Sequence, residues 1–416
     1  MGTVIESEAN ATLGGILIAN RGEIAVRIAR AAADSGIRSV SIYSSDDRTR
    51  LHTSLADEAI LIPGAGPRAY LDIDEIIHAA KESGCNAIHP GYGFLSERAD
   101  FALRCREANI VFIGPKPEHL ELFGDKVAAR KAAIDAGVPV LAGSDRSVTI
   151  DEARAVFNAT SGPIILKAVM GGGGRGTRVV YDESELEDAF TRCQSEAQAA
   201  FGNDQVYVEE FLSRAKHIEI QIIGDLMGDI SHLGDRECSV QRRNQKIVEV
   251  APAPGLSASL REKITDAALI FARKHHYLSL GTFEFLIDVN SPDERFVFIE
   301  ANARLQVEHT VTEEITGFDL VRGQIQIALG SSLADVGLRE THATLNNGFS
   351  IQARVNLETI NSDGTILPGS GVLIGYEAPN GPGVRTDGYG YVGYEVNTAF
   401  DSLIAKVIVH EKSAQF

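Results

Sequence analysis

The feature that most constrains this chain is a predicted β-hairpin within Gly281–His309 that carries two facing glutamates. Two β-rich runs flank the turn-forming sequence NSPD, a pattern that predicts an antiparallel pair of strands. Folding the chain symmetrically about Pro292 sets Glu284 opposite Glu300, and directly opposed residues of such a pair point to one face. Asn302 lies two residues beyond Glu300 and therefore shares that face.

Two facing carboxylates repel one another unless a cation lies between them. An amide oxygen beside them favours a hard divalent ion, because Mg²⁺ is usually held by carboxylates together with substrate phosphates. The segment Arg304–His309 then adds a guanidinium, an amide and a carboxylate within a few residues of this face. The pattern predicts a magnesium site with a small-anion pocket beside a phosphoryl group. The alternative is an exposed hairpin whose charges are only solvated.

Helical and strand-like runs alternate over roughly the first 120 residues. The strands are predicted at Gly15–Asn20, Val40–Tyr43, Ala87–His89 and Val111–Gly114, with helices between them. Such alternation implies a parallel sheet with helices on both faces. Turns rich in Gly and Pro follow three of the strand ends, which is where open α/β sheets bind ligands. Because no GxGxxG follows the first strand, a dinucleotide site is not predicted.

Lysines and a glycine run in the central region predict phosphate binding. Lys126 lies at the start of a predicted helix, and Lys167 lies in an apolar strand just before four consecutive glycines, Gly171–Gly174. Glycine loses more backbone entropy on folding than any other residue, so the run favours a close approach of backbone N–H groups to an anion. A plain flexible hairpin tip is the alternative. The run lacks the GK[ST] of a Walker A motif.

Further polar groups follow in the central region. Glu209 and Glu210 end a predicted strand, and one of them could accept a hydrogen bond from an adenine amino group. His217 lies in the next strand, and a lone histidine is more often a surface residue or a satisfied core residue than a ligand. The stretch Asp235–Lys246 carries three arginines, two glutamines and a lysine. In so acidic a chain this stretch predicts an anion pocket, with a solvated basic loop as the alternative.

Composition excludes several classes of function. The net charge of −18 disfavours non-specific binding to nucleic acid or to an anionic membrane, and no apolar run is long enough to span a bilayer. The four cysteines, Cys85, Cys105, Cys193 and Cys238, form no CxxC pair, which disfavours a zinc site or a disulfide framework. The first dozen residues resemble neither a signal nor a transit peptide. We therefore expect a cytoplasmic enzyme of two to four domains.

Six motifs together resemble the biotin carboxylase component of biotin-dependent carboxylases, with the acyl-CoA carboxylase type as the expected subgroup. The motifs are Asn20–Ala25 (NRGEIA), His89–Glu97 (HPGYGFLSE), Gly171–Gly176, Gln241–Lys246, Gly281–Leu286 and Ala301–His309. The resemblance implies an α/β and α+β multidomain fold with a Rossmann-like parallel α/β domain at 13–124. An ATP-grasp domain follows at 125–335, with a glycine-loop lid subdomain at about 141–212. A β-rich C-terminal domain at 348–416 is expected to be incomplete.

The resemblance also implies roles for individual residues. The positions expected to bind ATP are Lys126, Lys167, Gly172, Gly173, Gly174, Glu209, Leu212, His217, Gln241, Asn244 and Leu286. The positions expected to bind the metal are Glu284, Glu300 and Asn302. The positions expected to hold bicarbonate are Lys246, Arg304, Gln306 and Val307. Lys246 and Arg304 are counted as catalytic with Glu308, the expected general base, and Arg354, which is expected to stabilise the biotin enolate.

The implied reaction uses ATP as a substrate and Mg²⁺ (or Mn²⁺) as the cofactor. Bicarbonate is phosphorylated to carboxyphosphate, and its carbon dioxide is captured by biotin attached to a carrier protein or domain. The expected partners are that carrier, a carboxyltransferase and a second copy of the chain or a larger complex. An acetyl- or propionyl-CoA acceptor is expected, with pyruvate or urea carboxylase as the alternatives. A carbamoyl-phosphate-synthase-like half would use ammonia and would not need Arg354, and a catalytically silent fragment acting by association is the third alternative.

Three positions depart from the family pattern. Met170 replaces a glycine that relatives often have, Asn244 replaces a frequent histidine, and Asn356–Thr359 replaces the usual sequence after Arg354. The last departure leaves the local geometry of Arg354 open. The chain also stops soon after 401–409 and has no biotinyl-acceptor motif. We expect a truncated product or the front piece of a longer carboxylase, with exposed apolar surface and lower stability in its C-terminal region.

Overall fold

The computed structural model of this chain describes residues 14–160, 162–170, 176–338 and 347–413. Its N-terminal region is a parallel α/β layer. Its strands are β1 (Ile16–Ile18), β2 (Ser39–Tyr43), β3 (Glu58–Leu61), β4 (Ala87–His89) and β5 (Val111–Phe112). Its helices are α1 (Gly22–Asp34), α2 (Leu51–Leu55), α3 (Ile73–Glu82), α4 (Ala99–Glu107) and α5 (Pro117–Gly124), with a 3-10 helix at Pro67–Leu71. All the strand pairs are parallel, in the order β3-β2-β1-β4-β5, which confirms the predicted alternation.

The turn after β1 ties two strand ends together. The Asn20 side chain donates to the carbonyls of Pro90 (2.6 Å) and Tyr92 (2.8 Å), which follow β4. The guanidinium of the next residue, Arg21, pairs with buried Asp47 and lies 3.8 Å from the centre of the Phe400 ring. This turn therefore joins the carboxyl edge of the parallel sheet to the C-terminal region of the chain.

A smaller sheet with three helices follows the parallel layer. The next elements are α6 (Lys126–Asp135), α7 (Ile150–Ala159), β6 (Ile164–Ala168), β7 (Thr177–Val180), α8 (Leu186–Phe201) and β8 (Val206–Glu210), with a 3-10 helix at Glu183–Glu185. The strands form an antiparallel sheet in the order β7-β6-β8. Leu166, Phe190 and Val208 are buried where the sheet packs against α8. Apolar alternation in β6 thus places one face on a helix and leaves Lys167 on the other face.

One eight-stranded sheet forms the centre of the molecule. The elements of this part of the chain are β9 (Ala215–Gly224), β10 (Ile230–Arg242), β11 (Gln245–Ala251), α9 (Ala258–Lys274), β12 (Ser279–Asp288), β13 (Phe296–Asn302), α10 (His309–Thr316), α11 (Leu320–Ala328), β14 (Phe349–Asn356), β15 (Glu358–Ile360), β16 (Ile366–Pro368), β17 (Val384–Gly388) and β18 (Leu403–Glu411). The order is β13-β12-β9-β10-β11-β14-β18-β17, and β15 and β16 form a separate hairpin. The antiparallel pair β11–β14 joins the C-terminal strands to the central ones. The sequence did not predict this continuous sheet.

The predicted register of the glutamate hairpin is confirmed. Glu284 lies opposite Glu300, and Asn302 lies opposite Thr282. A register shift follows directly, because Phe285 pairs with Phe298 rather than with the residue before Glu300. The predicted pairing about Pro292 therefore holds at Glu284 and Glu300 and farther from the turn, but not between this pair and the turn.

The polar stretch 235–246 is a β-hairpin rather than an irregular loop, and the tip of the hairpin, residues 243–245, is exposed. Its first part extends β10, its last two residues begin β11, and the turn between them is Arg243-Asn244. Both turn residues have positive φ, +51° and +64°. A two-residue hairpin turn with both φ values positive favours Asn, whose short polar side chain tolerates this backbone region. The structure therefore accounts for Asn244 as a turn residue.

The expected exposure of apolar side chains in the C-terminal region is present. Exposed fractions exceed one half for five of them: Ile360, Leu367, Val372, Ile374 and Val392. The expected lower stability of this region stays a prediction. Within the described ranges, no helix combines the length and the apolar character needed to cross a membrane.

His52 gives the N-terminal layer a predictable response to acid. Burial lowers the pKa of its ring from the ordinary value of 6.5 to about 4, and Arg21 and Arg50 contribute to the shift. The unfolded chain therefore binds this proton at higher pH than the folded chain. Stability falls as the pH drops below about 6.5, by about 2 kcal/mol between pH 7 and pH 5 from this group.

The measurement is the free energy of urea unfolding at both pH values for the wild type and His52→Leu. The variant is expected to lose about 2 kcal/mol of the pH dependence. His78→Leu, at a side chain that is 63% exposed, is the control and should keep the wild-type pH dependence. Equal pH dependence in wild type and His52→Leu would contradict the prediction.

Candidate active site

A single ammonium group lies among three buried carboxylates on one face of the central sheet. The Lys246 amine, at the start of β11, donates to Glu219, to Glu308 (2.8 Å) and to Glu284 (3.1 Å). Burial lowers the pKa of Lys246, but the three carboxylates outweigh it and hold the pKa well above the usual value. Because 15% of its side chain stays exposed, an anion entering the site can reach this lysine.

Strand β9 brings a glutamate to this site that the sequence analysis missed. Ile218, Ile220 and Ile222 pack into the core, while the alternate residues Glu219 and Gln221 turn to the other face. Both polar side chains are buried, and burial raises the pKa of Glu219 although Lys246 opposes the shift. Strict alternation of isoleucine with Glu and Gln was the signal that could have identified them.

Arg236 on β10 supports the floor of the site and is fully buried. Its guanidinium donates to Glu219 (3.1 Å), Gln221 (2.8 Å), Thr312 (3.0 Å), Thr282 (3.1 Å) and Gln306 (2.8 Å). One side chain therefore joins β9, β12, α10 and the loop after β13. The sequence indicates this residue only as part of a basic stretch, because no local pattern distinguishes it from Arg242 and Arg243, which are not buried.

The first predicted metal ligand, Glu284, is surrounded by hydrogen-bond donors. Its Oε1 accepts from Asn302 (2.7 Å) and Gln306 (2.7 Å), and its Oε2 lies 2.5 Å from His217 Nε2. Burial raises the pKa of Glu284, but Lys246 and His217 reverse this and hold it well below the usual range. Burial lowers the pKa of His217, and Glu284 outweighs it, so the net shift is upward.

The second predicted ligand, Glu300, lies at the more exposed edge, 36% of its side chain being accessible, with the Lys126 amine 3.4 Å away. Asn302 contacts Glu284 through its amide nitrogen, and its Oδ1 accepts from Arg304 (2.8 Å). Two carboxylates and an amide oxygen are the hard oxygen donors that Mg²⁺ prefers, so the residues fit such an ion. Their assignment as metal ligands stays a prediction.

Two other groups of residues that could hold a metal ion occur within the described ranges. They are His217, Glu219 and Glu284, and Glu219, Cys238 and Glu308. Burial raises the pKa of the Cys238 thiol well above its usual value, so it stays protonated and is a poor ligand.

The loop after β13 carries the predicted anion-binding residues. Arg304 Nε lies 2.8 Å from Glu97, and the carbonyl of Val307 accepts from the buried amine of Lys406 (2.9 Å). Gln306 is held between Arg236 and Glu284. Of these residues, Gln306 shares the carboxylate of Glu284 with Lys246, whereas Arg304 and Val307 contact Glu97 and Lys406. Their assignment to bicarbonate stays a prediction.

The predicted base, Glu308, is buried between two cations. Its Oε1 accepts from Lys246 (2.8 Å) and its Oε2 from Arg354 Nη2 (3.1 Å). Burial raises the pKa of Glu308, but Lys246, Arg354 and Arg236 together hold it well below the usual range. The carboxylate is therefore ionised and available to accept a proton when its cations are drawn elsewhere.

The predicted nucleotide residues lie in two groups. On the small sheet, Lys167 donates to Glu209 (2.7 Å). Glu209 also accepts from Arg130 on α6 (3.2 Å). Gln241 donates to His217 Nδ1 (3.0 Å) on the central sheet. Leu212 and Leu286 are half-buried, and Asn244 is exposed at the hairpin tip. The predicted positions Gly172, Gly173 and Gly174 lie outside the described residues, as does the rest of the glycine run up to 175.

Arg354 contacts a neighbouring strand and not the altered sequence that follows it. It lies on β14, whose last residue is Asn356, and it contacts Glu249 on the adjacent strand β11 at 2.6 Å. The next strand, β15, begins at Glu358, which pairs with Arg242. The altered residues thus lie beyond the part of β14 that orients Arg354.

Three family models match the chain along its length. Residues 12–120 match the model described as the N-terminal domain of biotin carboxylase. Residues 125–336 match the ATP-binding domain of the carbamoyl-phosphate synthase L chain, and residues 352–415 match the C-terminal domain of biotin carboxylase.

Individual relatives agree with these matches. The pyruvate carboxylase of Bacillus subtilis (strain 168) is 49% identical over 399 residues, 94% of this chain and 34% of that protein. The chain thus spans about a third of the length of the curated relatives it matches.

Solved structures share the fold over nearly the whole chain. The biotin carboxylase domain dimer of the 2-oxoglutarate carboxylase from Hydrogenobacter thermophilus, in complex with MgADP, ADP and bicarbonate, gives a TM-score of 0.92 at 41% identity, covering 97% of this chain and 87% of that one. A single-chain, multi-domain long-chain acyl-CoA carboxylase gives 0.84 at 42% identity, covering 96% of this chain and 37% of that one. These likenesses confirm the predicted fold class.

Proposed function

Because the chain belongs to the biotin carboxylase family, whose members are ATP-dependent ligases, we propose that it carboxylates carrier-linked biotin with ATP and bicarbonate. The observation that carries this proposal is the contact of Glu308 with both Lys246 and Arg354. One cation lies on the side of the bicarbonate residues, and the other lies on β14, where biotin is expected. The base therefore lies between the two half-sites of the reaction.

Bicarbonate activates the base in this proposal. Lys246 neutralises Glu308 before the substrate enters, so its carboxylate is a weak proton acceptor. An anion that binds Lys246 and Arg304 competes for the ammonium and raises the proton affinity of Glu308. Glu308 then removes the bicarbonate proton as a bicarbonate oxygen attacks the γ-phosphorus and ADP departs.

The second half of the proposed reaction uses the products of the first. Carboxyphosphate breaks down to carbon dioxide and phosphate, and the phosphate accepts the proton from the N1′ of biotin. Arg354 binds the ureido oxygen while negative charge develops on it. The N1′ nitrogen then attacks carbon dioxide to form carboxybiotin.

Glu284, Glu300 and Asn302 would hold Mg²⁺ in this proposal. When bound, the ion neutralises charge on the nucleotide phosphates. Lys126 and Lys167 would bind the same phosphates; here they contact Glu300 at 3.4 Å and Glu209 at 2.7 Å. The MgADP and bicarbonate in the Hydrogenobacter thermophilus domain support this proposal.

The proposal is tested by ATP cleavage with Mg²⁺, bicarbonate and free biotin, each omitted in turn. Cleavage that requires bicarbonate and increases with biotin is the expected result. The second candidate is carbamoyl-phosphate chemistry, which the match of residues 125–336 favours. Ammonia that replaces biotin as the stimulating substrate would support this candidate. Retained ATP binding without bicarbonate-dependent cleavage would overturn both and leave a silent fragment.

The final acceptor is the finer part of the proposal. We expected an acyl-CoA, but the first curated relatives, 47–49% identical, are pyruvate carboxylases, which favours pyruvate. The likeness to a long-chain acyl-CoA carboxylase keeps the other acceptor as a second candidate. Labelled bicarbonate should be transferred to pyruvate, rather than to acetyl- or propionyl-CoA, by the enzyme as isolated from its source together with its carrier and carboxyltransferase.

We also propose the three predicted units, 13–124, 125–335 and 348–416, with the lid at about 141–212. The family matches at 12–120, 125–336 and 352–415 support these boundaries, and limited proteolysis tests them. A homodimer is proposed from the dimer described for the Hydrogenobacter thermophilus domain. A cytoplasmic location is proposed because all four cysteines are free and buried, which suits a reducing compartment.

A further inference from the structure

Arg354 is held between two buried carboxylates on different elements. Glu249 on β11 is fully buried, and its Oε1 accepts from Arg354 Nε at 2.6 Å. Glu308 accepts from Nη2 of the same guanidinium at 3.1 Å. Glu249 Oε1 also lies 2.6 Å from Nη2, so the shorter contacts belong to a residue that the proposed reaction does not use.

Glu249 is itself held from behind. Its Oε2 accepts from the Gln352 amide at 2.9 Å, and Gln352 in turn accepts from the Thr310 hydroxyl. Glu249 and Gln352 lie directly opposite one another on the β11–β14 pair. A chain of hydrogen bonds from α10 across two strands thus fixes the carboxylate, and with it the direction in which the guanidinium points.

Burying the charged carboxylate of this glutamate costs free energy unless a partner compensates its charge. Burial raises the pKa of Glu249, the positive charge of Arg354 opposes the shift, and the charge on Glu308 adds to it. Glu249 and Glu308 therefore compete for one guanidinium. If Glu249 lost its charge, Arg354 would be drawn towards Glu308 and away from the position it holds now.

We propose that Glu249 is a positioning residue for Arg354. It holds Nε and Nη2 of the guanidinium so that the group stays aligned for the ureido oxygen of biotin instead of closing onto Glu308. This inference rests on the proposed function, in which Arg354 meets the biotin enolate. The holding residue lies on the neighbouring strand and not in the altered sequence after Arg354.

The test separates the two half-reactions. Glu249→Gln should lower the biotin-stimulated rate of ATP cleavage by about 10- to 100-fold. The biotin-free, bicarbonate-dependent rate should stay within about threefold of wild type, because Glu308 keeps Lys246. Combining Glu249→Gln with Arg354→Gln should add nothing to the loss caused by Arg354→Gln alone, since the two residues act as one unit.

The control is Asp387→Asn. Asp387 is also buried and pairs with an arginine, Arg385 at 2.7 Å, but it lies on β17, the outermost strand of the sheet. This variant should keep the wild-type ratio of biotin-stimulated to biotin-free cleavage. If Glu249→Gln fails to fold, Gln352→Met removes the amide behind Glu249 and should lower the same ratio by about threefold.

The failures of the two proposals are distinguishable. A wild type without bicarbonate-dependent, biotin-stimulated cleavage overturns the proposed function. A functional wild type in which Glu249→Gln lowers both rates equally, or adds its full effect to that of Arg354→Gln, overturns the positioning role. A ratio unchanged from wild type in Glu249→Gln, or in Gln352→Met where that variant replaces it, overturns the role as well.

Discussion

Replacing Glu308 by glutamine is expected to reduce bicarbonate-dependent ATP cleavage by about 10²- to 10⁴-fold in kcat, the usual contribution of a positioned base. Glutamine keeps the size and the hydrogen-bonding oxygen of the side chain but cannot accept a proton. The carboxylate is buried and contacts Lys246 and Arg354, so no exposed group can replace it at this position. The affinity for ATP should stay close to that of the wild type, because the predicted nucleotide residues lie elsewhere.

The measurement is steady-state ATP cleavage with varied bicarbonate, alongside a direct ATP-binding assay. Glu314→Gln is a matched control, because Glu314 is a neighbouring glutamate whose partner is Arg385, outside the site. It should cleave ATP at the wild-type rate. A Glu308→Gln enzyme that keeps more than a tenth of the wild-type kcat would exclude Glu308 as the base.

Replacing Arg236 by methionine is expected to lower the free energy of unfolding by about 3–5 kcal/mol. The guanidinium is fully buried and contacts five side chains. Its loss leaves Glu219 without one of its two cations, and it leaves Gln221 and Gln306 with buried unpaired oxygens. An uncompensated buried charge costs more than the pair itself contributes, so one missing partner destabilises the site strongly.

Urea unfolding of the wild type and of Arg236→Met measures this effect. Adding Glu219→Gln to the variant removes the uncompensated charge, so the double variant should regain part of the lost stability. Arg98→Met is the control for a surface pair, since Arg98 and Asp100 are 56% and 51% exposed, and it should cost less than about 1 kcal/mol. If the double variant loses as much free energy of unfolding as the two single variants together, the role of the uncompensated Glu219 charge is contradicted.

The sequence by itself determined the features that depend on neighbouring residues. Side chains alternate with a period of two along a strand, so the turn after β12 was enough to place Glu284 opposite Glu300. Alternating helical and strand-like runs were likewise enough for the parallel N-terminal sheet. The motifs, read in order, were enough for the family.

Only the tertiary structure decided which distant groups meet. Lys246 contacts Glu219 and Glu308, residues 27 and 62 positions away, because the sheet order sets β9, β11 and the loop after β13 around one point. Register shifts also lie on both sides of Arg236 in β10, which pairs with Glu219 on β9. Local patterns carry neither strand order nor bulges, because both follow from packing the whole sheet. The holding of Arg354 by Glu249 is another such contact, made across 105 residues between adjacent strands.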